Sequence, residues 1–192
     1  MTWVRPDGKA FARSPEDDAD YAECRDDDAE RWLAAGWTIQ RREDEYVVPT
    51  VPPAPHRFLH LEDADLERLR LLDDELRQEV PGTAGWRWTH EDFVAETYSS
   101  PSVYLVTPAY DGICRVWLRE PTPRLGFVGV RRSERGRGLG RALVAVALGE
   151  TNALGFSEVT TEIDVENAAS QTLFRDFGAR RIGGFVELAR PR

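Results

Sequence analysis

The spacing of apolar positions changes several times along the chain, and each change marks an element. Residues 56–61, "HRFLHL", alternate as a first strand does. Residues 63–80, "DADLERLRLLDDELRQEV", carry leucines at helical spacing and stop before Pro81-Gly82. "THEDFVAETY" opens on Thr89 with Asp92 three residues on, a capping box with Asp in place of Glu, and predicts a second helix. Strands follow over Val103–Thr107, Ile113–Arg119 and Leu125–Val130, divided by the turns "PAYDG" and "EPTPR", so an antiparallel meander is expected. "LGRALVAVALGETNALG" reads as a helix, and "FSEVTTEIDV" as a strand with Val159, Ile163 and Val165 alternating with polar residues. "NAASQTLFRDFG" reads as a short helix with Asn167 as N-cap and Gly178 as its stop. "RRIGGFVELAR" is a closing strand pair or one bulged strand. This order is that of an α+β (mixed α/β) fold.

The clearest boundary is "VVPTVPPAPHRF", where Pro49, Pro52, Pro53 and Pro55 deny the segment helix and ladder hydrogen bonds. The expected organisation is therefore an acidic extension over residues 1–48, a proline-rich linker over 49–55 and a principal domain over 56–192.

Composition narrows the function classes. The 192 residues hold 34 acidic and 25 basic side chains, a formal net charge of −9, so a general nucleic-acid surface is not expected. An acidic body instead favours a cationic partner. The longest apolar run, Leu143–Leu148, is far short of a membrane span, and the first residues lack an apolar leader. Cys24 and Cys114 are too few for a disulfide framework and no histidine joins them at ligand spacing, so a reduced, cytoplasmic protein without a metal is expected.

The chemistry concentrates in "RRSERGRGLG", residues 131–140. Arg131, Arg132, Arg135, Arg137 and Arg141 stand there against the single Glu134. No lysine or hydroxyl follows Gly140, which excludes a P-loop. A Rossmann unit would find its ribose acid in Asp164, but the glycines fall at 136, 138 and 140 rather than at G-x-G-x-x-G spacing, and too little chain follows for a doubly wound sheet. What survives is physical: glycines let a backbone approach a ligand, and a helix start offers free N–H groups and a favourable dipole. A pyrophosphate is the natural guest.

"FVGVRRSERGRGLGRAL" resembles the cofactor motif of the GCN5-related N-acetyltransferases, R/Q-x-x-G-x-G/A, filled by Arg135, Gly138 and Gly140. "ENAASQTLFRDFGA" resembles the motif that follows it, filled by Asn167, Ser170, Leu173, Phe174 and Gly178. The resemblance covers roughly residues 56–192 and implies a splayed mixed sheet flanked by helices, with acetyl-CoA in the splay. It implies that the pantetheine arm pairs with the backbone of Val128, Gly129 and Val130. The pyrophosphate would rest on Gly136, Arg137, Gly138, Leu139, Gly140 and Arg141, with Asn167 touching the cofactor. Glu162 resembles the catalytic glutamate of ribosomal-protein alanine acetyltransferases, the base that takes a proton from the acceptor amine. Phe174 departs from the pattern, since many members carry there a tyrosine that protonates the leaving thiolate. Water, Cys114 or Tyr104 are the substitutes.

Trp86, Trp88, Arg115 and Trp117 fall near the segments that border the acceptor pocket in that family, and their rings suit a cationic amine. The implied activity is acetyl transfer to a primary amine, of a small molecule or a peptide N-terminus, with a non-catalytic acyl-CoA-binding module as the alternative. "AERWLAAGWTIQRREDEYVVP" echoes "QTLFRDFGARRIGGFVELARP", which suggests a remnant acetyltransferase repeat in the extension. Its strand, Trp37–Val48, would join the main sheet or that of a second copy in a homodimer. Neither nucleic acid nor membrane is an expected partner.

Overall fold

The computed structural model describes residues 2–5 and 7–190. In chain order the elements are β1 (Trp3–Val4), β2 (Ala10–Ala12), β3 (Tyr21–Arg25), α1 (Ala29–Ala34), β4 (Thr38–Pro49), β5 (Leu59–His60), α2 (Leu66–Arg77) and α3 (His90–Tyr98). They continue with β6 (Ser102–Val106), β7 (Gly112–Trp117), β8 (Arg124–Val130), α4 (Leu139–Ala153), β9 (Glu158–Asp164), α5 (Ala168–Asp176) and β10 (Arg180–Ala189). Two compact units result: Val47–Thr161 forms one, and the residues up to Tyr46 together with those from Glu162 onward form the other.

In the unit of residues 47–161 the strand order is β9-β8-β7-β6-β5. The expected meander is present, with β6, β7 and β8 antiparallel. β5 is only two residues long and pairs antiparallel with β6. β9 runs parallel to β8, so the sheet is mixed. Of the two helices on one face, α3 starts at the predicted Thr89 cap, and α2 is shorter than the 63–80 pattern, starting after Asp65. The Asp65 carboxylate accepts from the amides of Glu67 and Arg68, and Thr89 accepts from that of Asp92. Leu69, Leu72 and Leu76 of α2 and Phe93 of α3 then bury Tyr104, Val106, Ile113 and Phe127. On the other face α4 packs against β6, β7 and β8 through the fully buried Leu143, Val144, Ala147 and Leu148. It lies so close that a Cβ on Gly112 would stand 2.9 Å from Leu143 Cδ1.

The proline-rich segment lies along the C-terminal half of α4. The Thr50 amide donates to the Ser157 carbonyl (3.0 Å), and Asn152 donates to Thr50 Oγ1 (3.0 Å). A Cβ on Gly149 would meet Pro53 Cα at 2.9 Å.

The other unit orders its strands β1-β2-β3-β10-β4. β10 is one continuous strand, antiparallel to β3 from Phe185↔Arg25 to Ala189↔Tyr21. Ala22, Trp32, Trp37, Val186 and Leu188 form its core, with the Trp32 and Trp37 rings edge to face at 5.0 Å. The two echoing stretches close their helices alike. Gly36 and Gly178 sit at φ +89 and +78. The following amides of Trp37 and Ala179 reach back to the carbonyls of Trp32 and Phe174 at 3.1 and 3.0 Å, the long return bond of a Schellman ending. β1, β2 and β3 are elements that the hydrophobic pattern did not reveal. Among the described residues no helix is long and apolar enough to cross a membrane.

Candidate functional site

β8 ends at Val130, and the Arg131 amide donates to the Asp111 carbonyl (2.7 Å), which fixes where the chain leaves the sheet. A single 3-10 turn, Arg132–Glu134, leads into the glycines. Gly138 is the N-cap of α4 in the left-handed region (φ +83), a conformation open to glycine at little cost. The first helical bond runs from the Ala142 amide to the Gly138 carbonyl (3.0 Å), so the amides before it are the orphan donors of the helix start. A Cβ on Gly136 or Gly138 would meet nothing within 4 Å, and one on Gly140 only Val130 Cγ2 at 3.7 Å. The chain's own packing therefore does not require glycine at 140. Open space beside aligned amides at the positive end of a helix dipole fits a phosphate.

The guanidinium groups contribute less bare charge than their number suggests. Arg131 makes a two-pronged pair with Glu75 (3.1 and 2.8 Å), Arg135 pairs with Glu79 (2.7 Å), and Arg137 with Glu134 (2.8 Å). Arg135 Nε also donates to the Val130 carbonyl (2.9 Å), tying the loop to the strand end. Glu75 of α2, Glu79 just beyond it and Glu134 thus offset the expected island of positive charge, and the anion site rests mainly on amides.

β8 and β9 share a single register pair, Arg124↔Thr160. The Thr160 amide donates to Pro123 O (2.8 Å) and Thr161 Oγ1 to Leu125 O (2.9 Å), after which, among the described residues, β8 is paired on its β7 side alone. Val128, Gly129 and Val130 therefore present a free strand edge next to the glycine loop. An extended, amide-containing arm ending in a diphosphate fits this edge and loop together.

Trp86, Trp88, Arg115 and Trp117 lie in the same unit, the first two in the segment between α2 and α3 and the other two on β7. The Trp86 and Trp88 rings meet edge to face at 6.1 Å, and the Arg77 guanidinium stands 5.3 and 5.9 Å from their centroids. Trp88 Nε1 donates to Asp73 (2.9 Å), whose carboxylate is buried and paired with Arg77. Arg115 is buried, donates to the carbonyls of Glu96 (3.1 Å) and Thr97 (2.9 Å), and stands 4.8 Å from the Trp117 ring. Arg119 and Arg124 approach the same ring at 5.3 and 5.4 Å. A Cβ on Gly126 would fall 1.4 Å from Trp117 Cζ3, so the edge of the six-membered ring of the indole occupies the space that a side chain would take there. The tryptophans are thus already stacked with the chain's own arginines, which weakens the expectation of a cationic guest. Trp86 Nε1, Trp117 Nε1, Arg115 Nε and Thr97 Oγ1 are buried and, among the described residues, make no hydrogen bond.

Glu162, Asp164, Asn167 and Phe174 belong to the other unit. Glu162 is half-buried on β9, between the inward Thr161 and Ile163. Asp164 is buried, accepts from the Glu166 amide (2.8 Å) and lies 3.8 Å from Arg41, which accounts for it structurally. Asn167 caps α5 by accepting from the Ser170 amide (3.0 Å). Phe174 is a core residue. Neither sequence-level substitute for the missing acid is suitable. Tyr104 and Cys114 are both buried, and burial pushes each well above its ordinary range, so neither gives up a proton readily. The buried Asp73–Arg77 pair escaped the sequence reading; its only signal was two opposite charges at i,i+4 on the apolar stripe of a helix.

Comparison with known proteins identifies the family and the fold. The family model described as "Acetyltransferase (GNAT) family" matches residues 7–179. The mycothiol acetyltransferase of Beutenbergia cavernae is 36% identical over 89 residues, covering 43% of this chain and 30% of that protein. A GCN5-related N-acetyltransferase from Sphaerobacter thermophilus superposes with a TM-score of 0.65 at 21% identity, covering 89% of this chain and 60% of that one. The ribosomal-protein-S18-alanine N-acetyltransferase of Escherichia coli gives 0.52 at 17% identity, covering 70% and 92%.

Proposed function

Since the chain belongs to the GNAT acetyltransferase family, we propose that it is an N-acetyltransferase that moves the acetyl group of acetyl-CoA to a primary amine. The observation that carries this reading is the free edge of Val128–Val130 running into the orphan amides at the start of α4. Acetyl-CoA supplies an activated acyl thioester. The β8 edge holds the arm extended, the amides of Gly136–Arg141 hold the diphosphate, and Arg135 keeps the two in register through Val130. A lysine-like amine, with a pKa near 10, is protonated at neutral pH and must lose a proton before it attacks. Glu162 takes that proton, and Asn167 steadies the cofactor from its helix. As the new C–N bond forms, an amide of Val128–Val130 supports the charge that develops on the carbonyl oxygen, and the C–S bond breaks to release CoA as thiolate. A thiol with a reference pKa near 8.5 leaves acceptably in that form, so Phe174 does not forbid turnover.

On the acceptor side, the arginine-stacked tryptophans and the unused indole N–H groups support an amine whose remainder is neutral or anionic and rich in hydrogen-bonding groups. Likeness to a mycothiol acetyltransferase puts acceptors of that series first in the panel. The test is free-thiol release from acetyl-CoA with such amines, amino acids, aminoglycosides and N-terminal peptides, read beside the thermal shift with CoA. Release on one amine class together with a CoA shift supports the enzyme. A CoA shift without turnover supports the second reading, a non-catalytic acyl-CoA-binding module, which the buried Phe174 and the poor acids Tyr104 and Cys114 favour. No CoA shift at all overturns both.

A further inference from the structure

Away from this site, the proline-rich segment and α4 bring together side chains that are far apart in sequence. His56 Nε2 lies 2.8 Å from Glu150 Oε1, and His60 Nε2 lies 3.4 Å from the same oxygen. One ligand atom from each of the three residues lies within 4.8 Å of the others. The two histidine rings are 5.6 Å apart between centroids. All three side chains are partly shielded from solvent, at 18%, 38% and 23% exposure for His56, His60 and Glu150.

We propose that His56, His60 and Glu150 form a binding site for a divalent transition-metal ion of the zinc class, with two imidazole nitrogens and one carboxylate oxygen as ligands and a fourth position open to solvent. Tetrahedral ligands at zinc–nitrogen and zinc–oxygen bond lengths stand about 3.4 Å apart. The His60–Glu150 separation already has that value, the His56–Glu150 separation needs to open slightly, and the two histidine ligand atoms lie within 4.8 Å of each other. Mixed imidazole and carboxylate donors suit zinc, cobalt and nickel over calcium or magnesium, which prefer oxygen throughout.

The surroundings hold the ligands in place. His60 is on β5, in register with Leu105, and Glu150 is on the last turns of α4. His56 follows Pro55, and the Phe58 amide donates to its Nδ1 (3.2 Å). In the metal-free state that bond leaves the ring proton on Nε2, directed at Glu150. Metal entry at Nε2 moves this proton to Nδ1 and gives up the Phe58 contact, which is at the long end of the hydrogen-bond range. The ion would fasten the proline-rich segment to the C-terminal half of α4, where Thr50 and Pro53 already lie against the helix.

The test is a titration of chelator-stripped protein with CoCl2, read by the visible bands of tetrahedral cobalt, followed by displacement with ZnCl2. The expected result is one cobalt per chain, a melting temperature that rises with ZnCl2, and an affinity at least tenfold weaker in His60→Ala and in Glu150→Gln. Glu150→Gln is nearly isosteric, and far-UV circular dichroism confirms that each variant is folded. Absence of tetrahedral bands in the wild type overturns the proposal, as does an undiminished affinity in the His60→Ala/Glu150→Gln double variant. Neither readout depends on CoA, so failure here leaves the acetyltransferase reading standing.

Discussion

Substituting Gly140 by alanine separates the cofactor loop's two jobs, building a helix and binding an anion. Gly140 has ordinary helical backbone, and its added methyl would meet only Val130 Cγ2 at 3.7 Å, a normal contact. Alanine in a helix is favoured over glycine by about 0.5–1 kcal/mol, so Gly140→Ala keeps or slightly raises the melting temperature. That methyl occupies space beside the orphan amides and holds a phosphate oxygen away from them. One charge-assisted hydrogen bond lost is worth about 1.5–3 kcal/mol, or roughly 10- to 150-fold in CoA affinity. Gly138→Ala is the contrast. At φ +83 it costs about 1–2 kcal/mol of stability through left-handed strain alone. Calorimetric titration with CoA and a thermal melt on both variants give the four numbers needed. If Gly140→Ala binds CoA as tightly as the wild type, the loop does not carry the diphosphate and the site assignment fails.

Glu162→Gln should lower kcat about 10²- to 10⁴-fold, as expected for loss of a general base, with the CoA dissociation constant unchanged; an unaltered kcat removes Glu162 from the mechanism. Gly126→Ala must push the Trp117 indole off the strand, since the new methyl falls 1.4 Å from Cζ3, and a loss of about 1–3 kcal/mol in chemical denaturation is expected. The Cys24 thiol is pushed up to about 11, first by burial and then by the neighbouring Asp26–Asp28 and Glu23. Its thiolate is therefore scarce at pH 8, and alkylation should run about a hundredfold slower than that of free cysteine and accelerate as pH rises toward that value. Cys114 is buried, so a thiol count on folded protein should be near zero at short times and reach two in denaturant.

The sequence carried the parts whose signals are local. Thr89 and Asn167 were legible as caps because a cap is a side chain bonding an amide two or three residues on. The glycine loop was legible because Gly138 must accept a positive φ. The meander followed from turn residues between alternating runs. What stayed hidden depends on partners distant in the chain. β3 was obscured because its Ala22 and Cys24 sit among acids, and only pairing with β10 makes it a strand. The charge of the loop was hidden because Glu75 of α2 and Glu79 in the turn after it neutralise Arg131 and Arg135. Trp86 and Trp88 looked like a cation trap, and Arg77, a turn or more of helix away in sequence, already fills that role.

The pairing of β3 with β10 also sets an order of events at birth. Arg25 and Phe185 are about 160 residues apart, and everything between β4 and β9 must be made before the strand that completes the first one emerges. Residues 47–161 hold β5 to β8, α2 to α4 and the start of β9, and can collapse while synthesis continues. β1, β2 and β3 can pair with one another early, but the other edge of β3 waits for β10 through that interval. A ribosome stalled with residue 161 just clear of the exit tunnel should therefore display a protease-resistant middle behind a cleavable leading segment, and resistance of that segment should arrive only when β10 clears the tunnel in turn.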